Sequence, residues 1–375
     1  MRRISYLNHD QTLFRDIDVF DPSFVPEHLN HRDAQIQELA FLIGPALRGA
    51  RPMNAILRGP PGTGKTTTVL RVFAELKETS RRVIPVYINC RQDHTMLAVY
   101  QRIAEQLFGH TSPSRHLEDI RDAIAANLRD ADAILLVCFD DAEYLIAAGT
   151  YNTLLYQILR LYEGWDDVRA PGVIAVTSDL GMHLSAEADG AVRSVFLPCE
   201  IFFPPYTRIE VREILTDRVR QGLYPGVVPP GVINLAAGMA GDAGDVRVGI
   251  ALIRAAALRA EEDGRRRVTK EDLLAVAPGI RSPALEARVA ALTPGERALL
   301  YRLAERSLSG EEMVSGAVFE EVRDYIAVGK TTYHTRLRRL AAAGIIDLLR
   351  APGGRQVVVL RYTPDDVFAA CARAG

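Results

Sequence analysis

Eight consecutive residues, Gly59-Pro-Pro-Gly-Thr-Gly64-Lys65-Thr66, place glycines, a lysine and a hydroxyl in the spacing G-x-x-x-x-G-K-[ST]. Such a loop holds phosphate. Its glycines let backbone N–H groups close around phosphate oxygens, and the helix it opens adds a partial positive charge. Lys65 would reach the β- and γ-phosphates of a nucleoside triphosphate, and Thr66 would ligate Mg2+. Pro61, Gly62, Thr63, Gly64 and Thr67 complete the expected cradle. A second group of residues lies downstream in "ILLVCFDDAEYL", where an apolar run delivers Asp140 and Asp141 to its end. Asp140 suits a magnesium shell, and Asp141 suits polarising an attacking water. The next apolar run, "VIAVTSD", ends in Ser178, a polar group able to sense the γ-phosphate or that water.

These residues need a scaffold, and the surrounding pattern supplies one. From about residue 50 to 200 the runs "NAILRG", "VIPVYINC", "AILLVCFDD" and "PGVIAVTS" alternate with amphipathic stretches such as "VYQRIAEQL" and "LEDIRDAIAANL". Continuous apolar strands alternating with helices predict an α/β fold with a parallel sheet covered on both faces. Ligands of such sheets bind at the C-terminal ends of the strands, where the loop and the acids fall. From "FFPPYTRIEVREILTDRVRQGL" to about residue 280 the strand signals stop and helices dominate, punctuated by Pro204-Pro205 and Pro229-Pro230. A further break is expected at "APGIRSPA", residues 277 to 284. The expected division is a nucleotide-binding base at 1–202, a helical lid at 203–282 and a C-terminal winged helix-turn-helix domain at 283–375.

In the C-terminal segment, Tyr333, Leu337 and Leu340 share one helical face, at i, i+4 and i+7. The opposite face shows Thr331, Thr335, Arg338 and Arg339, with Arg336 on the flank; Gly344 stops the helix. A strand, a Pro-Gly-Gly turn and a second strand follow. Helix then β-wing is the order of a winged helix-turn-helix, whose second helix enters the major groove of DNA. Between Tyr325 and Arg361 there are seven Lys or Arg and one acid, Asp347, a net of +6 inside a chain of net −2. Lys330, Thr331, Thr335, Arg336, Arg338, Arg339 and the wing-turn Arg355 are the expected DNA contacts. Residues 91–116 offer a second candidate surface through Arg102 and Arg115, and "GRRRV" at 264–268 is expected to cap a lid helix.

At this point the order of motifs resembles a known family, the archaeal replication initiators of the origin-recognition-complex and cell-division-control type, within the AAA+ ATPases. The resemblance runs through "FVPEHLNHRDAQI", "GPPGTGKT", "FDDAE", "IFFPPYT" and "GDVRVGIALIRAA" to the C-terminal domain. It implies that Val25, Tyr206 and Arg218 line the nucleotide pocket, and that Arg247 is the lid arginine reaching the phosphates. It also implies that Arg193 lies near the position of an arginine finger serving a neighbouring subunit. Two departures stand out: Asp141 where many AAA+ enzymes carry glutamate, and Ser178 where asparagine is usual. Because ~1 Å of displacement at a catalytic group costs ~10²-fold in rate, the expectation is tight binding of ATP or ADP with slow hydrolysis, a switch rather than a motor. The implied partners are duplex origin DNA, the replicative helicase and other initiator subunits on DNA. The rival reading is a nucleotide-gated transcription regulator or a mobile-element ATPase sharing the base domain and the wing.

Composition bounds the rest. With 48% hydrophobic and 25% charged residues the chain has the balance of a globular protein with real cores. No apolar run approaches the ~20 residues of a membrane helix, and "MRRISYLNHDQTLF" lacks the apolar core of a signal peptide. Cys90, Cys138, Cys199 and Cys371 show no C-x-x-C spacing, which argues for a reducing interior. The expected location is cytoplasmic, with no membrane partner.

Overall fold

The computed structural model describes residues 12–374 apart from 111–115, 181, 312, 327, 351–355, 361 and 363. The chain divides into two compact units, residues 23–206 and residues 12–22 together with 207–374.

The first unit begins with α1 (Asp33–Leu47) and β1 (Ala55–Arg58), then α2 (Lys65–Thr79), β2 (Val83–Asn89), α3 (Met96–Phe108) and α4 (Leu117–Asp130). It continues through β3 (Ile134–Asp140), α5 (Glu143–Ala147), α6 (Tyr151–Leu159), α7 (Leu161–Gly164) and β4 (Gly172–Thr177). Two short turns of helix, α8 (Leu184–Glu187) and α9 (Gly190–Arg193), lead to β5 (Cys199–Phe202). The five strands form one sheet in the order β2-β3-β4-β1-β5, parallel at every pairing. Period-two alternation sends each strand to two cores. Leu135, Val137 and Phe139 of β3 pack on one side with Val99, Ile103, Ile124 and Leu155. Ile134, Leu136 and Cys138 pack on the other with Leu42, Val69 and Phe73. Every residue of β3 is buried, as a central strand with both faces covered requires. β5 was not anticipated. Its four residues lie between Pro198 and the Pro204-Pro205 pair, too short a run to show a period.

The second unit carries α10 (Arg208–Gly222), α11 (Pro230–Ala243), α12 (Val246–Glu262) and α13 (Lys270–Ala290). Then come α14 (Pro294–Leu308), α15 (Ser315–Ile326), α16 (Lys330–Ala342), β6 (Ile346–Arg350), β7 (Gln356–Leu360) and α17 (Pro364–Ala374). Residues 12–22 belong here, not with the base where the expected boundary put them. The Arg15 and Asp16 amides donate to Gly222 O at the end of α10, and Phe14 bridges antiparallel to Leu223. A 3-10 turn, Asp18–Phe20, buries Val19 and Phe20. The break expected at residues 277–284 is also absent, since α13 runs unbroken across Pro278 and Pro283. An interior proline costs a helix ~3 kcal/mol. Here both ends are anchored, by buried Leu273 and Ala277 before the prolines and by Leu285 and Val289 after them, and tertiary packing outweighs propensity.

The C-terminal core forms as the apolar stripe predicts. Tyr333, Leu337 and Leu340 of α16 are buried among Leu299, Leu303, Val318, Val322 and Val358. Gly344 adopts φ 67°, and the Gly344 and Ile345 amides donate to Ala341 O and Leu340 O, closing the helix end. β6 and β7 pair antiparallel, and Val314 makes an isolated antiparallel bridge to Val357. The Pro-Gly-Gly turn and Arg355 lie outside the described residues.

Candidate functional site

The phosphate-type loop leaves β1 and enters α2 at Lys65, with Gly64 as N-cap at φ 88° and Gly62 at φ 73°. These are left-handed conformations that favour glycine. Close approach adds a second constraint, because a Cβ at Gly59 would lie 2.3 Å from Phe203 O and one at Gly64 2.8 Å from the Tyr206 hydroxyl. Lys65 is 5% exposed and donates from Nζ to Gly59 O at 2.7 Å and Pro60 O at 2.8 Å. The lysine is thus folded into the concavity of its own loop. Pro61, Gly62 and Thr67 are half-buried around it, and Thr63 is buried.

β3 brings its acid to the same place. Thr66 Oγ1 donates to Asp140 Oδ2 at 2.7 Å. With its hydrogen engaged by the carboxylate, the hydroxyl oxygen keeps lone pairs to offer as an acceptor or ligand. The pair offers hard oxygen donors of the kind magnesium takes, one or two protein ligands completed by phosphate oxygens. Among the described residues there is no group of three or more His, Cys, Asp or Glu that could hold a metal ion. Asp141 follows at φ 55°, with its amide donating to Asp140 Oδ1 at 3.2 Å. Ser178 is half-buried just beyond β4, whose Val176 O accepts from the Ala142 amide. The second acid and Ser178 are thereby held on adjacent strand ends.

Three residues that the sequence did not single out shape this site. Arg32, 2% exposed, donates from Nε to Thr63 O at 2.8 Å and from Nη2 to Pro204 O at 2.7 Å. Its guanidinium stacks on the Tyr206 ring, 3.7 Å from the centroid. It therefore ties the phosphate-type loop to the Pro204–Tyr206 segment. Tyr87 of β2 donates its hydroxyl to Asp140 Oδ2 at 2.7 Å. Burial, and then the Asp140 charge, push that phenol far above its ordinary value, so it stays a donor. Glu143 carries a carboxyl raised by burial, against which the Thr177 hydroxyl and the Ser178 amide act. Tyr87 faces Cys138 in register, so Asp140, two residues on, is its diagonal neighbour on the same face.

The other expected residues fall elsewhere. Val25 is half-buried in the segment before α1, and Arg193 ends α9 with Nη2 donating to Ala186 O at 2.6 Å. Arg218 and Arg247 belong to the second unit. Arg218 Nη1 donates to Val19 O at 3.0 Å, and burial lowers its pKa. Arg247, the second residue of α12, is chelated by Asp245, with Nη2 to Oδ2 at 2.6 Å.

On α16 the basic face is divided. Lys330, Thr331, Thr335 and Arg338 are exposed. Arg339 Nη1 instead meets Glu296 Oε1 at 3.1 Å, although its side chain is 65% exposed. Glu296 is the buried member of the Thr293/Glu296 capping box of α14. Burial raises its pKa, but the Thr293 amide and hydroxyl and Arg339 outweigh that and hold it below the ordinary carboxylate value. Arg336 lies against Gly295, where a Cβ would be 2.5 Å from Nη2. Arg339 therefore has a structural partner as well as a place on the basic face. Arg102 is likewise engaged, with Asp93 at 2.8 Å and Glu105 at 2.6 Å, while Arg115 lies outside the described residues. Among the described residues no helix is long and apolar enough to cross a membrane.

Sheet order, loop and acid together define an AAA+ protein, and comparison with known proteins agrees. Residues 50–177 match the AAA domain and residues 212–276 the Cdc6 AAA+ ATPase-type lid domain. The chain is 38% identical over 343 residues to ORC1-type DNA replication protein 6 of Halobacterium salinarum, covering 91% of this chain and 90% of that one. It belongs to the family of ORC1-type DNA replication proteins. Two solved structures share the fold over 96% of the chain: the Aeropyrum pernix ORC1 protein in complex with DNA, at 27% identity, TM-score 0.65 and 97% of that chain, and the Aeropyrum pernix ORC2 protein, at 24% identity, TM-score 0.79 and 98% of that chain. Family membership favours replication over the regulator or mobile-element reading.

Proposed function

We propose that this chain is an ATP-regulated initiator that binds duplex origin DNA and sets recruitment of the replicative helicase by the nucleotide it holds. Family membership supports the class of function, and the Thr66–Asp140 contact beside a buried Lys65 is the observation that carries the nucleotide reading. Lys65 would exchange its loop carbonyls for the β- and γ-phosphate oxygens, while Thr67 and the amides from Pro61 to Thr66 that carry a hydrogen line the cradle. Thr66 and Asp140 would hold Mg2+, which when bound neutralises phosphate charge. Asp141 would orient the water and Ser178 sense the γ-phosphate. Val25, Tyr206, Arg218 and Arg247 would complete the pocket, and Arg193 would serve a neighbouring initiator subunit. A shorter acid and a serine in the water-positioning places support slow turnover and a switch. The complex of the Aeropyrum pernix relative with DNA supports duplex DNA as partner, read by α16 through Lys330, Thr331, Thr335 and Arg338 and gripped by Arg355 in the wing.

The test is equilibrium binding of labelled ADP and ATP to Lys65→Ala. Removing a charged hydrogen-bond donor from the phosphates costs ~1.5–3 kcal/mol, so affinity should fall at least about tenfold while circular dichroism still reads a folded chain. Unaltered affinity would move the pocket elsewhere.

A further inference from the structure

The Asp140 carboxylate is held from two sides, and only one side belongs to the phosphate-type loop. Thr66 donates to Oδ2 from α2, and Tyr87 donates to the same oxygen from β2, each at 2.7 Å. β2 is one of the two outer strands of the sheet, so among the described residues its backbone at Tyr87 has a neighbouring strand on one side only. Gln106 of α3 takes that place. Its Oε1 accepts from the Tyr87 amide at 3.1 Å, and its Nε2 donates to Tyr87 O at 2.6 Å. One carboxamide thus pairs with both backbone groups of the residue, as an adjoining strand would. The tyrosine is fixed at its backbone by α3 and at its hydroxyl by the acid.

We infer that Tyr87 is a positioning residue for the metal site, fixing the orientation of Asp140 so that this chain's Mg2+ affinity, and not its affinity for metal-free nucleotide, depends on the edge-strand phenol. The inference rests on reading Thr66 and Asp140 as the metal-holding pair. A carboxylate at a strand end has two torsions to settle, and a phenol donor on Oδ2 selects one arrangement while leaving Oδ1 toward the Asp141 amide. Groups that orient metal-holding side chains in this way set metal affinity by about 10–100-fold when removed. The phenol touches neither loop nor phosphate cradle in the described contacts, so its loss should leave the cradle as it is.

The experiment titrates Mg2+ into the full chain with a fluorescent, non-hydrolysable ATP analogue and reads nucleotide affinity at each metal concentration. Three proteins are compared: the unaltered chain, Tyr87→Phe and Thr66→Val. Tyr87→Phe keeps the ring, so packing against the sheet is retained and the thermal midpoint should hold. In EDTA it should bind the analogue as tightly as the unaltered chain. The Mg2+ concentration giving half of the metal-dependent tightening should rise about tenfold, and Thr66→Val should abolish the tightening. A Tyr87→Phe midpoint equal to that of the unaltered chain, with Thr66→Val still defective, overturns this inference and leaves the metal-site reading standing. Weakened binding in EDTA also overturns it, by showing that the hydroxyl supports the cradle itself. If the unaltered chain shows no Mg2+-dependent tightening, the metal-site reading falls and the role of Tyr87 with it.

Discussion

At Arg339 one guanidinium has two demands on it. It sits on the basic face of α16, yet it is the ion-pair partner of a buried capping carboxylate at the start of α14. Arg338, one residue earlier, is exposed and has no such duty in the described contacts. The two arginines should therefore separate experimentally. Arg338→Ala should leave the thermal midpoint alone and narrow the gap between specific and random DNA, by ~1–3 kcal/mol if it chelates a guanine. Arg339→Ala should also lower the stability of the second unit by about 1 kcal/mol, because Glu296 keeps its burial and loses its cation. Competition binding at two salt concentrations, beside urea unfolding of each variant, reads both effects. An Arg339→Ala protein as stable as the unaltered chain would return that residue to a purely DNA-facing role.

At the scale of elements, the turn between α12 and α13 is closed by charge. Asp272, the third residue of α13, accepts from Arg265 and from the Thr269 amide and hydroxyl. The Arg265 hydrogen bond, outweighing burial, pulls its carboxyl from 3.8 down to about 2. A carboxyl depressed on folding contributes stability that is present above its ordinary value and lost as pH falls through the folded one. Asp272→Asn should accordingly cost about 2 kcal/mol at pH 7, a deficit that shrinks between pH 4 and pH 2. Urea unfolding at pH 7 and pH 3 checks it, and a deficit of equal size at both would assign the effect to shape rather than charge. "GRRRV" was legible only as a basic cap. That Arg265 helps close this turn depended on Asp272, seven residues on, which a local pattern does not weight. The phosphate-type loop was legible for the opposite reason, since its chemistry is written in eight consecutive residues. Arg32 and Tyr87 escaped because their partners lie 31 and 53 residues away along the chain.

For the whole molecule, chain order and spatial grouping part company at the beginning. Residues 12–22 precede the base but pack with α10, where Phe20 is 2% exposed and Phe14 6%. No periodicity in a short segment announces a partner some 200 residues downstream, so this grouping was beyond the reach of the sequence. Phe20→Ala should remove about 3 kcal/mol from the second unit. Calorimetry reads the loss, and a second-unit transition as stable as that of the unaltered chain would show that the segment adds nothing to this unit. The unbroken α13 has a mechanical consequence. Leu273 and Val289 stand sixteen residues apart on one shaft, about 24 Å at 1.5 Å per residue, with one end rooted among the lid helices and the other in the winged-helix core. A lever of that length multiplies motion. Ten degrees of tilt at the lid end swings the far end by about 4 Å, the difference between a phosphate in a side chain's grasp and one beyond it.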